Sequence, residues 1–290
     1  MCFVKELDIL VAMKRNLSKL AVVAILTVFA ACEARIGVGP YLVLNSDGHR
    51  VVRLKANQKS IYLEYELSNK KTSSTAMKKV GNEFYELTLP DKAVRYRIHL
   101  GERKTKWHDL VSLSGKGVRR LVAYGDPRIG RGNPIARDRI NDQILTEKPS
   151  LIIASGDLVA WGDQEDLWED LLEDLNPMAS KLPYIAAIGN HDVSDDHLFN
   201  RFFRAKNDKN YMSIPLGKGR LILLDSNAVQ ERGNEQYKFL EKELADGTIT
   251  LDEAQELVDL FWLKINAPSL LNSSRRYRKR ALNVIPSCRR

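Results

Sequence analysis

Three glycine-led clusters carry the residues best suited to chemistry: Gly125-Asp126, Gly156-Asp157-Leu158-Val159 and Gly189-Asn190-His191-Asp192. Carboxylate and amide oxygens are the donors that hard and borderline divalent cations take, and a carboxylate with two oxygens can bridge two ions. Asp126, Asp157 and Asn190 are therefore candidate metal ligands. They stand 31 and 33 residues apart, one strand and one helix each. Each cluster closes an apolar run: Leu121 to Tyr124, Leu151 to Ala154, and Tyr184 to Ile188. Each glycine is expected to let the backbone turn sharply where strand becomes loop, often at positive φ.

The segments between these runs read as helices, about Pro134 to Leu145 and Asp163 to Leu175. Alternating strands and helices predict an α/β unit whose strand ends converge on one sheet edge, so the three side chains should meet in space. Trp161, Trp168 and Phe199 could line the mouth of such a site. Leu167, Trp168, Leu171, Leu172 and Leu175 have helical spacing, which assigns Trp168 and Leu171 to a core. Upstream, from Gly37 to about Leu113, the period is two. Ile61, Leu63, Tyr65 and Leu67 alternate with Tyr62, Glu64 and Glu66, and Val94, Tyr96, Ile98 and Leu100 with Arg95, Arg97 and His99. Alternation of this kind, broken by Asn45-Ser46-Asp47-Gly48, Gly81-Asn82 and Pro90-Asp91, predicts a small immunoglobulin- or fibronectin-like sandwich with one wet face per sheet. His49, His99 and His108 fall in it and have no ligand partner at useful spacing, so they read as structural or surface histidines.

The three clusters resemble motifs one to three of the calcineurin-like metallophosphoesterases, and with a β domain in front the order resembles purple acid phosphatase-like proteins. Leu224-Asp225-Ser226 after a strand at 220–223, and Gln236-Tyr237 opening the next helix, are similar to that group as well. The resemblance implies an αββα sandwich, a phosphoester substrate and two divalent or mixed-valence ions (Fe, Mn or Zn). Asp126 would bind the first ion, Asp157 bridge both, and Asn190 bind the second. His191 would serve the leaving group, with Asp192 holding its ring, and a metal-bridging hydroxide would attack phosphorus.

The chain also departs from the family. Motif one reads Asp126-Pro127-Arg128 where many relatives have D-x-H. Arg128 cannot ligate a metal, but its planar fork suits a phosphate oxygen, which makes it a candidate substrate-binding residue. Ala160 stands where purple acid phosphatases have a tyrosine. No histidine follows His197, whereas the family's later motifs supply three ligands from a lone histidine and G-H-x-H. The expectation is a C-terminally incomplete fold, through truncation or a shifted reading frame, and an impaired phosphoric ester hydrolase. His197, Asp195 and Asp225 are the first substitutes for the missing ligands. The alternative is a non-catalytic envelope lipoprotein that keeps the scaffold to bind a ligand or partner. Neither G-x-x-x-x-G-K-[ST] nor G-x-G-x-x-G is present, which argues against a nucleotide-binding α/β protein.

Over 290 residues the net charge is +8. The basic residues after Asp259 (Lys264, Arg275, Arg276, Arg278, Lys279, Arg280, Arg289 and Arg290) carry that whole excess. The body is near neutral, so no nucleic-acid partner is expected and 247–290 reads as an atypical basic tail. Three cysteines, Cys2, Cys32 and Cys288, form no disulfide framework. Residues 1–32 read as a signal segment: Lys14, Arg15 and Lys19, then an apolar stretch from Leu20 to Ala31, shorter than the roughly 20 residues of a membrane span. Phe29-Ala30-Ala31-Cys32 resembles a bacterial lipobox with Phe29 in place of leucine. Cys32 is a candidate lipidation site, the alternative being a cleaved signal peptide with an incidental cysteine. Either way export is expected, to the cell envelope if Cys32 anchors the chain to a membrane. The domain expectation is 36–113 for the β-sandwich and 118–246 for a partial metallophosphoesterase domain.

Overall fold

The computed structural model describes residues 35–81, 83–113, 120–204, 209–217, 219–228 and 233–245. The signal segment with Cys32, and the tail from 246 onward, lie outside the described residues.

The N-terminal part is two antiparallel sheets facing each other. Strands β1 (Ile36–Leu44), β2 (Arg50–Ala56), β5 (Lys78–Val80) and β6 (Phe84–Thr88) run in the order β1-β2-β6-β5. Strands β3 (Tyr62–Leu67), β4 (Thr72–Ala76), β7 (Ala93–Leu100) and β8 (Arg103–Lys104) run β4-β3-β7-β8, and β9 (His108–Asp109) also pairs with β7. Their alternating apolar residues close a core of Leu63, Tyr96 and Ile98 against Leu42, Val52 and Leu54. The outward residues of the second sheet pair across strands, as where Arg97 meets Glu64 and Arg95 meets Glu66. Its histidines are engaged locally: His99 Nε2 with Glu64 at 2.6 Å, and the His108 ring stacked on Tyr96.

The first sheet differs from the expectation of one wet face. Strands β1 and β2 are buried on both sides, because Tyr41, Val43 and Val51 point away from the sandwich core into the following α/β part. That contact is also polar. Arg53, buried, donates to the carbonyls of Arg201 (2.9 Å), Phe202 (3.2 Å) and Arg204 (2.8 Å), and Tyr41 Oη donates to Phe202 O at 2.6 Å. These carbonyls end helix α3 (Leu198–Phe203), where a cation meets both unpaired acceptors and the negative end of the peptide dipoles.

The α/β part holds three parallel strands, β10 (Leu121–Tyr124), β11 (Leu151–Ala154) and β12 (Tyr184–Ala186), in the order β10-β11-β12. Helix α1 (Pro134–Thr146) starts where Asn133 accepts from the Ile135 amide and Pro134 supplies a preset φ. Helix α2 (Glu165–Ala179) buries Leu167, Trp168, Leu171, Leu172 and Leu175. Trp168 is fully buried and packs on Phe199, Phe202 and Phe203; its loss would cost about 3–5 kcal/mol. Trp168 and Phe199 are thus core residues, while Trp161 is 45% exposed. In β11, Ile152 and Ala154 join this cluster. Leu151 and its neighbour Ile185 face the other way, onto Met212, Ile214 and Leu223 of the hairpin β13 (Met212–Leu216) and β14 (Gly219–Leu223). The parallel sheet is covered by helices on one face and by this hairpin on the other. Helix α4 (Glu235–Ala245) follows.

Candidate functional site

The parallel pairing of β10 and β11 continues past the strands into the loops. Asp126 N donates to Gly156 O (3.1 Å), Arg128 N to Asp157 O (3.2 Å), and Ile129 N to Leu158 O (3.0 Å), before Ile129 and Val159 form a parallel bridge. This ladder brings Asp126 and Asp157 side by side at the carboxyl edge of the sheet. The third loop closes on them through Gly189, and the His191 amide donates to Asp157 Oδ1 at 3.1 Å. Asn190, between those two, is exposed.

The positive φ often used at such glycines is found at one of the three. Of the three motif glycines only Gly156 has a positive φ, +104°. The left-handed residues are instead Asp126 (φ 56°), Arg128 (43°) and Asp157 (54°). Non-glycine residues in this region are strained, and such strain concentrates at functional sites. Gly156 and Gly189 are required by proximity, since a Cβ at Gly156 would lie 2.7 Å from the Gly189 Cα.

Arg128 lies across the two carboxylates. Its Nη2 donates to Asp157 Oδ2 at 2.6 Å and its Nε stands 3.2 Å from Asp126 Oδ1. Burial works to raise the Asp157 carboxyl, but the His191 amide and the Arg128 guanidinium outweigh it and hold the group below its ordinary value. Asp126 moves the other way, pushed up by burial and by the charge of Asp157, with Arg128 only partly offsetting them. The fork expected to greet a phosphate oxygen is therefore already engaged by the protein's own carboxylates.

Asp192 has a different task from the one expected of it. Its Oδ1 accepts from the amides of Leu158 (2.8 Å) and Val159 (3.1 Å), and its Oδ2 from Gly189 N (2.8 Å). A fully buried carboxylate thus ties the second loop to the third. The His191 ring is held instead by the Ala160 carbonyl, 3.0 Å from Nδ1, which leaves Nε2 as the nitrogen available to a bound group. A main-chain acceptor of this kind leaves no mark on residue type, so the sequence could not flag it. Asp195 and His197 line a cavity of about 260 Å³ with Asp192, Ser194, Asn200 and Asn210. Asp225 is taken up elsewhere. It accepts from Asn210 and Asn227, and its backbone exchanges two hydrogen bonds with Gln236 at the start of α4.

The calcineurin-like phosphoesterase family model matches residues 104–270, more than half of the chain, and the protein belongs to that family. The match runs past residue 246, the expected end of the partial metallophosphoesterase domain. Among solved structures, purple acid phosphatase PPD1 from yellow lupin (Lupinus luteus) seeds superposes with a TM-score of 0.58 at 18% identity, covering 72% of this chain and 48% of that one. The chain thus spans about half the length of that relative, and the likeness supports the fold. A pullulanase from Paenibacillus barengoltzii is matched over 57% of this chain and 40% of its own, at 11% identity and a TM-score of 0.17, too low to bear on the fold. No curated protein matches the chain.

Membership of the family implies a binuclear metal centre. The donors in place among the described residues do not fit one. Among the described residues no group of three or more His, Cys, Asp or Glu side chains is gathered closely enough to hold an ion. Each oxygen of Asp157 already accepts a hydrogen bond, one of them from a cation.

Proposed function

We propose that this chain is a phosphoric ester hydrolase working at the edge formed by Asp126, Asp157, Asn190 and His191, and that its activity is weak as the site stands. The observation that carries the reading is the ladder that extends β10 and β11 into one locus with two carboxylates and an anchored imidazole. In this reading a water attacks phosphorus as the bond to the alcohol oxygen breaks and loses its proton to solvent. The protonated His191 ring, its Nδ1–H donated to Ala160 O, passes the Nε2 proton to the departing oxygen, and the exposed Asn190 amide steadies the phosphoryl oxygens. Weak turnover follows from the missing donors. Each lost stabilising contact to the transition state forfeits a factor of roughly a hundred or more. The test is hydrolysis of an aryl phosphate by the wild type and by Asp157→Ala and His191→Ala. Slow turnover, lowered further in both variants, is expected. Turnover at about 1 s⁻¹ or faster that Asp157→Ala abolishes would overturn the impairment, and turnover indifferent to both variants would overturn the site.

The second reading, a non-catalytic envelope protein that retains the scaffold for binding, is favoured by the engagement of Arg128 with Asp126 and Asp157. It predicts phosphate-ester binding without turnover. For location, we propose export and lipid attachment at Cys32, supported by the basic segment, the short apolar run and Ala30-Ala31-Cys32.

A further inference from the structure

We propose that Arg128 is the resident cation of this site, its guanidinium bridging Asp126 and Asp157 in the space where a divalent ion would have to enter. The inference rests on the reading that these carboxylates form the phosphoester site, and it supplies a physical reason for weak metal loading there.

Three observations carry it. The guanidinium reaches both carboxylates at once, at 2.6 Å from Asp157 and 3.2 Å from Asp126, while isolated surface ion pairs ordinarily join two groups and contribute little. The contact is anchored in the backbone, since Arg128 N donates to Asp157 O and the residue is held at a left-handed φ of 43°. An arginine keeps such a conformation only where the surroundings impose it. The charges also match the task. Two adjacent carboxylates repel each other without a cation, and a guanidinium, which does not deprotonate, offers a planar fork fitted to carboxylate oxygens. A divalent ion needs carboxylate oxygens at about 2.0–2.6 Å. To take Asp157 Oδ2 on the face Arg128 occupies, it must displace the guanidinium or sit beside a like charge.

Position 128 is therefore an exchange point between an internal and an external cation. Arg128→Ala removes the competitor, and Arg128→His replaces it with an imidazole donor two residues after Asp126. Wild type and both variants are purified in chelator, freed of it, and titrated with Mn²⁺ and with Zn²⁺ by calorimetry and by thermal melts. Both variants should bind at least about tenfold more tightly than wild type, the scale on which groups around a metal site alter its affinity, with Arg128→His the tighter. Without metal both should melt below wild type, because the carboxylate pair has lost its counter-charge. If a variant is unfolded in chelator, metal should restore its fold. Wild-type affinity equal to or above that of the variants overturns the proposal, as does a variant that metal neither binds nor refolds. The outcome is separable from the proposed function, which is judged by how hydrolysis responds to Asp157→Ala and His191→Ala.

Discussion

Gly189 lies hard against Asp157: a methyl group at 189 would overlap the backbone nitrogen and Oδ1 of Asp157 and approach its Cα to 2.9 Å. The obstacle is backbone, which a rotamer change cannot relieve. Gly189→Ala should therefore lower stability by about 1–3 kcal/mol or more, as overpacking does, and displace the Asp157 carboxylate. Urea unfolding reads the first effect and loss of aryl phosphate turnover the second. Gly37→Ala is the control: its new methyl would meet only Lys55 O, at 3.5 Å, and should change stability by no more than about 0.5 kcal/mol. Equal behaviour of the two variants would contradict the close approach.

Asp192 gives the stability a pH dependence of defined sign. Burial, the largest effect, pushes its carboxyl up from 3.8 to about 6; the amides of Gly189, Val159 and Leu158 pull it down and the charge of Asp157 adds to the rise. A folded-state pKa above the unfolded one favours the fold where the group is protonated. The contribution is complete below about pH 3.8 and lost as pH rises through about 6. The shift of about two pH units corresponds to about 3 kcal/mol. The stability of wild type relative to Asp192→Asn, which does not titrate, should fall by up to that amount between pH 4 and 7.5. A difference flat across the range rules the shift out.

Arg53 fastens the first β-sheet to the α/β part. Replacing it with methionine keeps the apolar stem but strips the carbonyls of Arg201 and Arg204 of this donor, leaves Phe202 O with Tyr41 Oη, and leaves buried Glu86, 3.8 Å from the guanidinium, without its cation. Removing one partner from such a buried network costs about 3–5 kcal/mol. Thermal melts of Arg53→Met should show a large drop in Tm. A drop corresponding to less than about 1 kcal/mol would mean that Arg53 is not what fastens the two parts together.

Lipid attachment at Cys32 is testable in cells. Labelling with a fatty-acid analogue should mark the wild type and not Cys32→Ser, and fractionation should find only the wild type with membranes. Equal labelling of both, or a wild type recovered from the cytosol, removes the proposal.

The sequence by itself determined the three strand-and-loop units that carry the site, the two helices between them, and the alternation of one sandwich sheet. Apolar runs ending at Gly125-Asp126, Gly156-Asp157 and Gly189-Asn190 mark the three parallel strands. Helical spacing from Leu167 to Leu175 marks the face of α2, and alternation at 61–67 and 94–100 marks a sandwich sheet. These signals are local, since side-chain period and turn residues report on a few neighbouring positions. Only the tertiary structure decided what the site residues do. Asp192 bonds to amides 33 and 34 residues away, Arg128 to a carboxylate 29 residues away, and the His191 ring to a carbonyl 31 residues away. Two of these three contacts end on backbone atoms, which every residue type carries and no pattern distinguishes. The burial of β1 and β2 on both faces was hidden for a related reason. An apolar side chain records that it leaves water, but which partner covers it depends on how the second half of the chain folds back onto the first.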